Sequence, residues 1–146
     1  MAFFGAPLAQ EDHAIRACRA AMLMQFRLME LRQEWVGRDL PELKVRIGIS
    51  SGSAVVGNMG SDLRFDYTAM GDTVNVAARL EQANKEFGTY TLVSSQTRML
   101  VGTGFSFRPL GETQVKGRRE SVDVYELTAA AATAGPHDLL PDPGRA

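Results

Sequence analysis

Asn75, Arg79, Gln82 and Glu86 are spaced four, three and four residues apart, so on a helix they form one polar stripe. Val76, Leu80, Ala83 and Phe87 repeat that spacing one residue later as an apolar stripe beside it. The pattern predicts an amphipathic helix that opens at Gly71-Asp72, with Asp72 as its N-cap, and closes near Phe87 with Gly88 at C′. An amide and a guanidinium one turn apart, at the edge of a buried face, can bind an oxyanion jointly. Arg supplies a fork of charge-assisted donors and Asn a neutral orienting donor. Spacing alone describes a solvated helix flank equally well.

The wider string is more specific. Tyr67-Thr68, Gly71-Asp72, Val74-Asn75, Ala77 and Arg79-Leu80-Glu81 fall in one window that closely resembles the signature of the class III adenylate/guanylate cyclase catalytic domain. The resemblance implies that Asn75 orients the ribose and that Arg79 stabilises the transition state at the α-phosphate. Thr68 falls at the position that helps recognise the purine. Its Thr, where many members have Asp, resembles the class IIIb branch, which has bicarbonate-responsive members. Arg46 to Gly52 followed by Val56-Gly57-Asn58 looks like the hairpin before the signature, and Leu110-Gly111 with Val115-Lys116-Gly117 resembles the family's late segment. There the resemblance makes Lys116 a triphosphate ligand. Ser121 stands where the family often has Pro.

The resemblance runs from Met1 to about Leu127 and begins partway through the family's domain. Two metal-binding Asp and a purine-selecting Lys belong to segments before Met1, so the two-ion Mg²⁺ or Mn²⁺ site of a complete domain has no ligands here. No metal ligand is assigned within the chain: Asp72 is spent on the cap, and Asp62 and Asp66 offer no shared geometry. The implied reaction is conversion of ATP, with GTP as the alternative, to the 3′,5′-cyclic monophosphate and pyrophosphate. It takes place at the interface of a head-to-tail homodimer, and regulatory domains in a longer parent protein fit this picture. The chain as given is expected to make little or no product. The competing reading is a degenerate cyclase-homology domain that only dimerises or regulates a partner. A palm-domain polymerase or cyclic-dinucleotide synthase ranks third, since no Gly-Gly-Asp/Glu-Glu-Phe string occurs.

Composition narrows the class without naming it. The 146 residues suit one domain, and 45% apolar with 23% charged residues is ordinary for a globular protein. A net charge of −1 gives no case for nucleic acid or an anionic membrane. No apolar run approaches the roughly 20 residues needed to span a bilayer, and no secretory n- and h-region is apparent. The single Cys18 excludes an intrachain disulfide and suits a cytoplasmic location, with burial on a helix face as its role. His13 and His137 have no metal or nucleophile context. The glycines from Gly52 to Gly57 lack the Lys-Ser/Thr ending of a phosphate-binding loop.

Around the signature, periodicity predicts a long helix from about Ala9 to Val36, with core packing for its Met-rich face. A strand over Leu43–Ile49 should pair through Ser51-Gly52-Ser53 with Ala54–Gly57, and Asn58–Asp62 reads as a loop. Short strands follow at Arg64–Tyr67, Tyr90–Val93, Phe105–Leu110 and Val122–Leu127, with a helix over Ser95–Val101 capped by Ser94 or Ser95. The mixture predicts an α+β fold, ferredoxin-like (βαββαβ-type) and N-terminally truncated, with helices on one face of the sheet, as in the cyclase family. Residues 1–128 form the partial catalytic domain and 129–146 a flexible tail rich in Ala, Gly, Pro and Asp.

Overall fold

The computed structural model describes residues 1–38, 40–61, 64–114 and 121–130. In chain order the elements are α1 (His13–Trp35), β1 (Ile47–Ile49), β2 (Val55–Ser61), β3 (Arg64–Met70), α2 (Asp72–Phe87), β4 (Thr91–Ser94), α3 (Ser95–Val101), β5 (Phe105–Gln114) and β6 (Ser121–Ala130). Four strands form a sheet in the order β1-β4-β6-β5, and β2 and β3 form a separate two-stranded ribbon. The β1–β4 pair is parallel and the β4–β6 and β5–β6 pairs are antiparallel. The architecture is the expected α+β sheet with helices.

The helices do not share one face. Ala14, Cys18 and Ala21 of α1 and Val101 of α3 pack with Ile49, Val93 and Leu127 on one side. Val76, Leu80 and Ala83 of α2 pack with Leu92, Val122 and Val124 on the other. Neighbouring strand residues point to opposite faces, so Leu92 and Val93 belong to different clusters, and each is fully buried. All four residues of β4 are buried, which is what a strand covered on both faces requires.

Three local expectations change. The segment before β1 is not strand, because its carbonyls are taken by α1: Arg32 Nε donates to the Leu43 carbonyl at 2.6 Å and Gln25 Nε2 to the Val45 carbonyl at 2.9 Å. The expected hairpin between β1 and β2 is replaced by a β2–β3 ribbon in register from Val55↔Met70 to Ser61↔Arg64, so Asn58–Ser61 is strand rather than loop. The Met-rich face of α1 is core only in part, since Ile15, Cys18 and Met22 pack in or against the buried cluster. Met24, Phe26 and Met29 stay exposed, while the small residues Ala14, Cys18 and Ala21 make the tight contact. α1 begins at His13, whose N–H and Nδ1 both reach the Gln10 carbonyl. Of the expected tail, Ala129 and Ala130 are in β6 and 131–146 lie outside the described residues.

Cys18 is fully buried between α1 and the sheet, as expected. Burial pushes its thiol up to about 12 from 9.0. Above the ordinary thiol range the unfolded chain releases this proton while the folded chain keeps it. The unfolded state then binds fewer protons, and stability falls as pH rises, by at most about 1.4 kcal/mol per pH unit. Urea midpoints should therefore drop more steeply from about pH 9 to about pH 11 for the native chain than for Cys18→Ala. Equal slopes would remove Cys18 as the cause.

Candidate functional site

The site is built on α2, and α2 is held in place from the side opposite its polar stripe. Gly71, at φ 147°, turns the chain out of β3, and its carbonyl accepts the N–H groups of Val74 and Asn75 at 3.1 and 3.4 Å. A Cβ there would come within 3.3 Å of the Ser53 carbonyl. Gly71 is thus the N-cap residue. Asp72, expected to cap, is instead the first helical residue, where its charge complements the helix N-terminus. Thr73 Oγ1 lies 3.0 Å from Ser50 Oγ, which ties the first turn to the end of β1.

Further along, helix and strand touch through their backbones. A Cβ at Gly48 would run into the Ala77 carbonyl oxygen and the Glu81 nitrogen. Just past that contact, fully buried Asn84 donates from Nδ2 to the Ile47 and Leu80 carbonyls, each at 2.9 Å, and its Oδ1 accepts from Thr89 Oγ1 at 3.0 Å. Neither Gly48 nor Asn84 was singled out from sequence. The signal for Asn84 was present: it is an amide lying four residues after Leu80, on the apolar side of the helix.

Asn75 is exposed in the first turn of α2, and Arg79, one turn on, has its side chain 29% exposed. Arg79 Nη2 stands 3.0 Å from Glu86 Oε1, so two members of the predicted polar stripe are paired. Thr68 is half-buried on β3 opposite Gly57, three residues before the Gly71 corner. Lys116 and Asp62 lie outside the described residues, and Asp66 is on β3 opposite Met59. An open cleft of about 960 Å³ runs between α1, β1 and α2, lined by residues such as Phe3, Ala21, Ile49, Val74, Ala77 and Glu81. At about 100° per residue, that wall of α2 faces away from Asn75, Arg79 and Glu86. The cleft and the polar stripe are separate surfaces.

The adenylate and guanylate cyclase catalytic domain family model matches residues 1–129. The chain belongs to this family. It is 44% identical over 126 residues to adenylate cyclase 1 of Rhizobium meliloti (strain 1021), a match covering 86% of this chain and 19% of that protein. The chain therefore spans about a fifth of that relative. Among solved structures it resembles the adenylyl cyclase CyaB from P. aeruginosa, with TM-score 0.80 and 32% identity over 90% of this chain and 68% of that one. It also resembles the guanylyl cyclase Cya2, with TM-score 0.77 and 32% identity over 88% and 64%. Cyclase domains of this family generally use divalent metal ions. Among the described residues, no group of three or more His, Cys, Asp or Glu side chains could hold one.

The anchoring of α2 gives a stability test. Asn84→Leu leaves the Thr89 hydroxyl and the Ile47 carbonyl without their partner in the interior and should cost about 1–3 kcal/mol. Gly48→Ala meets backbone atoms that cannot rotate away and should cost about the same. Urea unfolding checks both, and a midpoint within error of the native chain for either would refute that contact.

Proposed function

We propose that this chain is the substrate-orienting part of an adenylate cyclase, acting in a complete domain that converts ATP to 3′,5′-cyclic AMP and pyrophosphate. The observation that carries the reading is the family match over residues 1–129 together with a polar stripe on α2 that opens to the surface. An exposed Asn75 and a partly exposed Arg79 suit a site completed by another domain across an interface. A head-to-tail homodimer supplies such a partner. No step is assigned to a metal held by this chain.

Within the reaction, Asn75 fixes the ribose, a positioning role that holds the 3′-hydroxyl in line with the α-phosphate. The Arg79 guanidinium stabilises the charge that develops on the α-phosphoryl oxygens as the new P–O bond forms and pyrophosphate departs. Thr68 contributes a hydroxyl that both donates and accepts at the purine. Lys116 meets the triphosphate as a mobile point charge. A regulatory, non-catalytic cyclase-homology domain is the second reading.

ATP is preferred over GTP on the name of the Rhizobium relative and on Thr68, since the adenylyl and guanylyl structures match almost equally. In a complete domain carrying metal carboxylates, Arg79→Ala should lower kcat about 10²- to 10³-fold with little change in KM. A raised KM at unchanged kcat would show that Arg79 serves ground-state binding instead. The same protein, assayed with ATP and GTP with and without bicarbonate at fixed pH, should prefer ATP and run faster with bicarbonate. A GTP preference would overturn the substrate assignment, and an unchanged rate the bicarbonate response.

A further inference from the structure

Arg79 and Glu86 are seven residues apart, so their backbones are separated by about 10.5 Å along the α2 axis. Their charged ends nonetheless stand 3.0 Å apart. A glutamate side chain leans toward the helix N-terminus and is too short to cover that distance alone. The arginine must therefore reach toward the C-terminus, against the direction that long helical side chains prefer. Asn75 lies the other way, about 6 Å N-terminal along the axis. The ion pair draws the guanidinium away from the residue with which it would share a nucleotide.

A carboxylate and a phosphoryl group make the same demand on a guanidinium: both are planar-edged or tetrahedral oxyanions that take its N–H fork. Glu86 stands against one end of the Arg79 fork, Nη2, where a phosphate oxygen could also sit. Resting on the cyclase reading above, we propose that Glu86 is a positioning residue: its carboxylate holds Arg79 turned from Asn75, and an incoming polyphosphate takes its place. The Glu86 side chain is 52% exposed. An ion pair that open is weak, so it can be exchanged without a large barrier to binding. It acts as a replaceable counter-ion rather than a structural lock, one of the contacts that set where Arg79 points.

The test is binding of inorganic tripolyphosphate to the 146-residue chain, measured by calorimetry in Glu86→Gln, Arg79→Ala and the double variant. Glu81→Gln, which removes the same charge from the cleft side of α2, is the control. Glu86→Gln should bind about two- to five-fold more tightly than the native chain, the range expected for release of an exposed ion pair. Glu81→Gln should change binding much less. Arg79→Ala should bind more weakly, and adding Glu86→Gln to it should restore nothing, because the glutamate acts through the arginine. No gain in Glu86→Gln, an equal gain in Glu81→Gln, or a gain that persists in the double variant would overturn the inference. Those outcomes leave Arg79 as a phosphate ligand provided Arg79→Ala weakens binding. Unchanged binding in Arg79→Ala would instead remove Arg79 from the phosphate site, and the cyclase reading of α2 with it.

Discussion

The rest of the molecule depends on how closely α2 approaches β1. At Gly48 the helix backbone lies on the strand with no room for a methyl group. This distance is fixed by hard contact rather than by side chains that could repack, which is why a single added carbon there matters. Asn84 completes the constraint by linking the helix to the Ile47 carbonyl and to Thr89 beyond the helix end. Ser50 and Thr73 do the same at the other end. Three points along one helix then fix its axis, its rotation and its height above the sheet. The direction of the Asn75 and Arg79 stripe follows from those three.

That arrangement divides α2 by mechanical character. Its buried flank meets Leu92, Val122 and Val124 in a close-packed cluster, where side chains have one arrangement. Its outer flank carries long polar side chains in or near solvent, where an ion pair such as Arg79–Glu86 is worth little and is readily exchanged. A site that must accept a charged nucleotide benefits from both. On the proposed reading, the scaffold supplies placement, and the exposed charges supply ends that can be handed from one anion to another.

Much of this was legible in the residues, and the failures have a common cause. The α2 boundaries, its two stripes, the Gly88 end, the Ser94 cap of α3 and the burial of Cys18 all follow from spacing within one element. Strand partners do not. Leu43-Lys44-Val45 alternates like a strand, yet Arg32 and Gln25 of α1 take its carbonyls, and that choice is made 11 and 20 residues away. The β2 segment pairs forward to β3 instead of back to β1, because alternation shows that a strand forms without naming its neighbour. The Met face of α1 was half right for a related reason: helical spacing marks stripes as apolar without saying how far along the helix they meet the sheet, so Met22 packs against the core while Met24, Phe26 and Met29 stay exposed. In the candidate site, the types and spacing of Asn75 and Arg79 were readable, while the contacts that aim them were not, since Gly48 and Asn84 acquire their meaning only from each other's surroundings.

The cleft and the polar stripe lie on different walls of α2, and this bears on how the family's chemistry is distributed. A binding site enclosed within one chain would place its polar groups inside the available concavity. Here the concavity is lined largely by apolar residues such as Phe3, Ala21, Ile49 and Ala77, with β1 along it hydrogen-bonded on one side to β4. Such a surface offers mainly apolar area, with Arg46 and Glu81 as its charged side chains. The charged stripe has the reverse character, with donors and an exchangeable counter-ion but no enclosure of its own. On the proposed reading, exclusion of water, which strengthens every electrostatic contact in a phosphoryl-transfer site, would come from a second surface laid over the stripe. On that reading, the division of α2 into a fixed apolar flank and an open charged flank lets one helix serve the fold and a shared site at once.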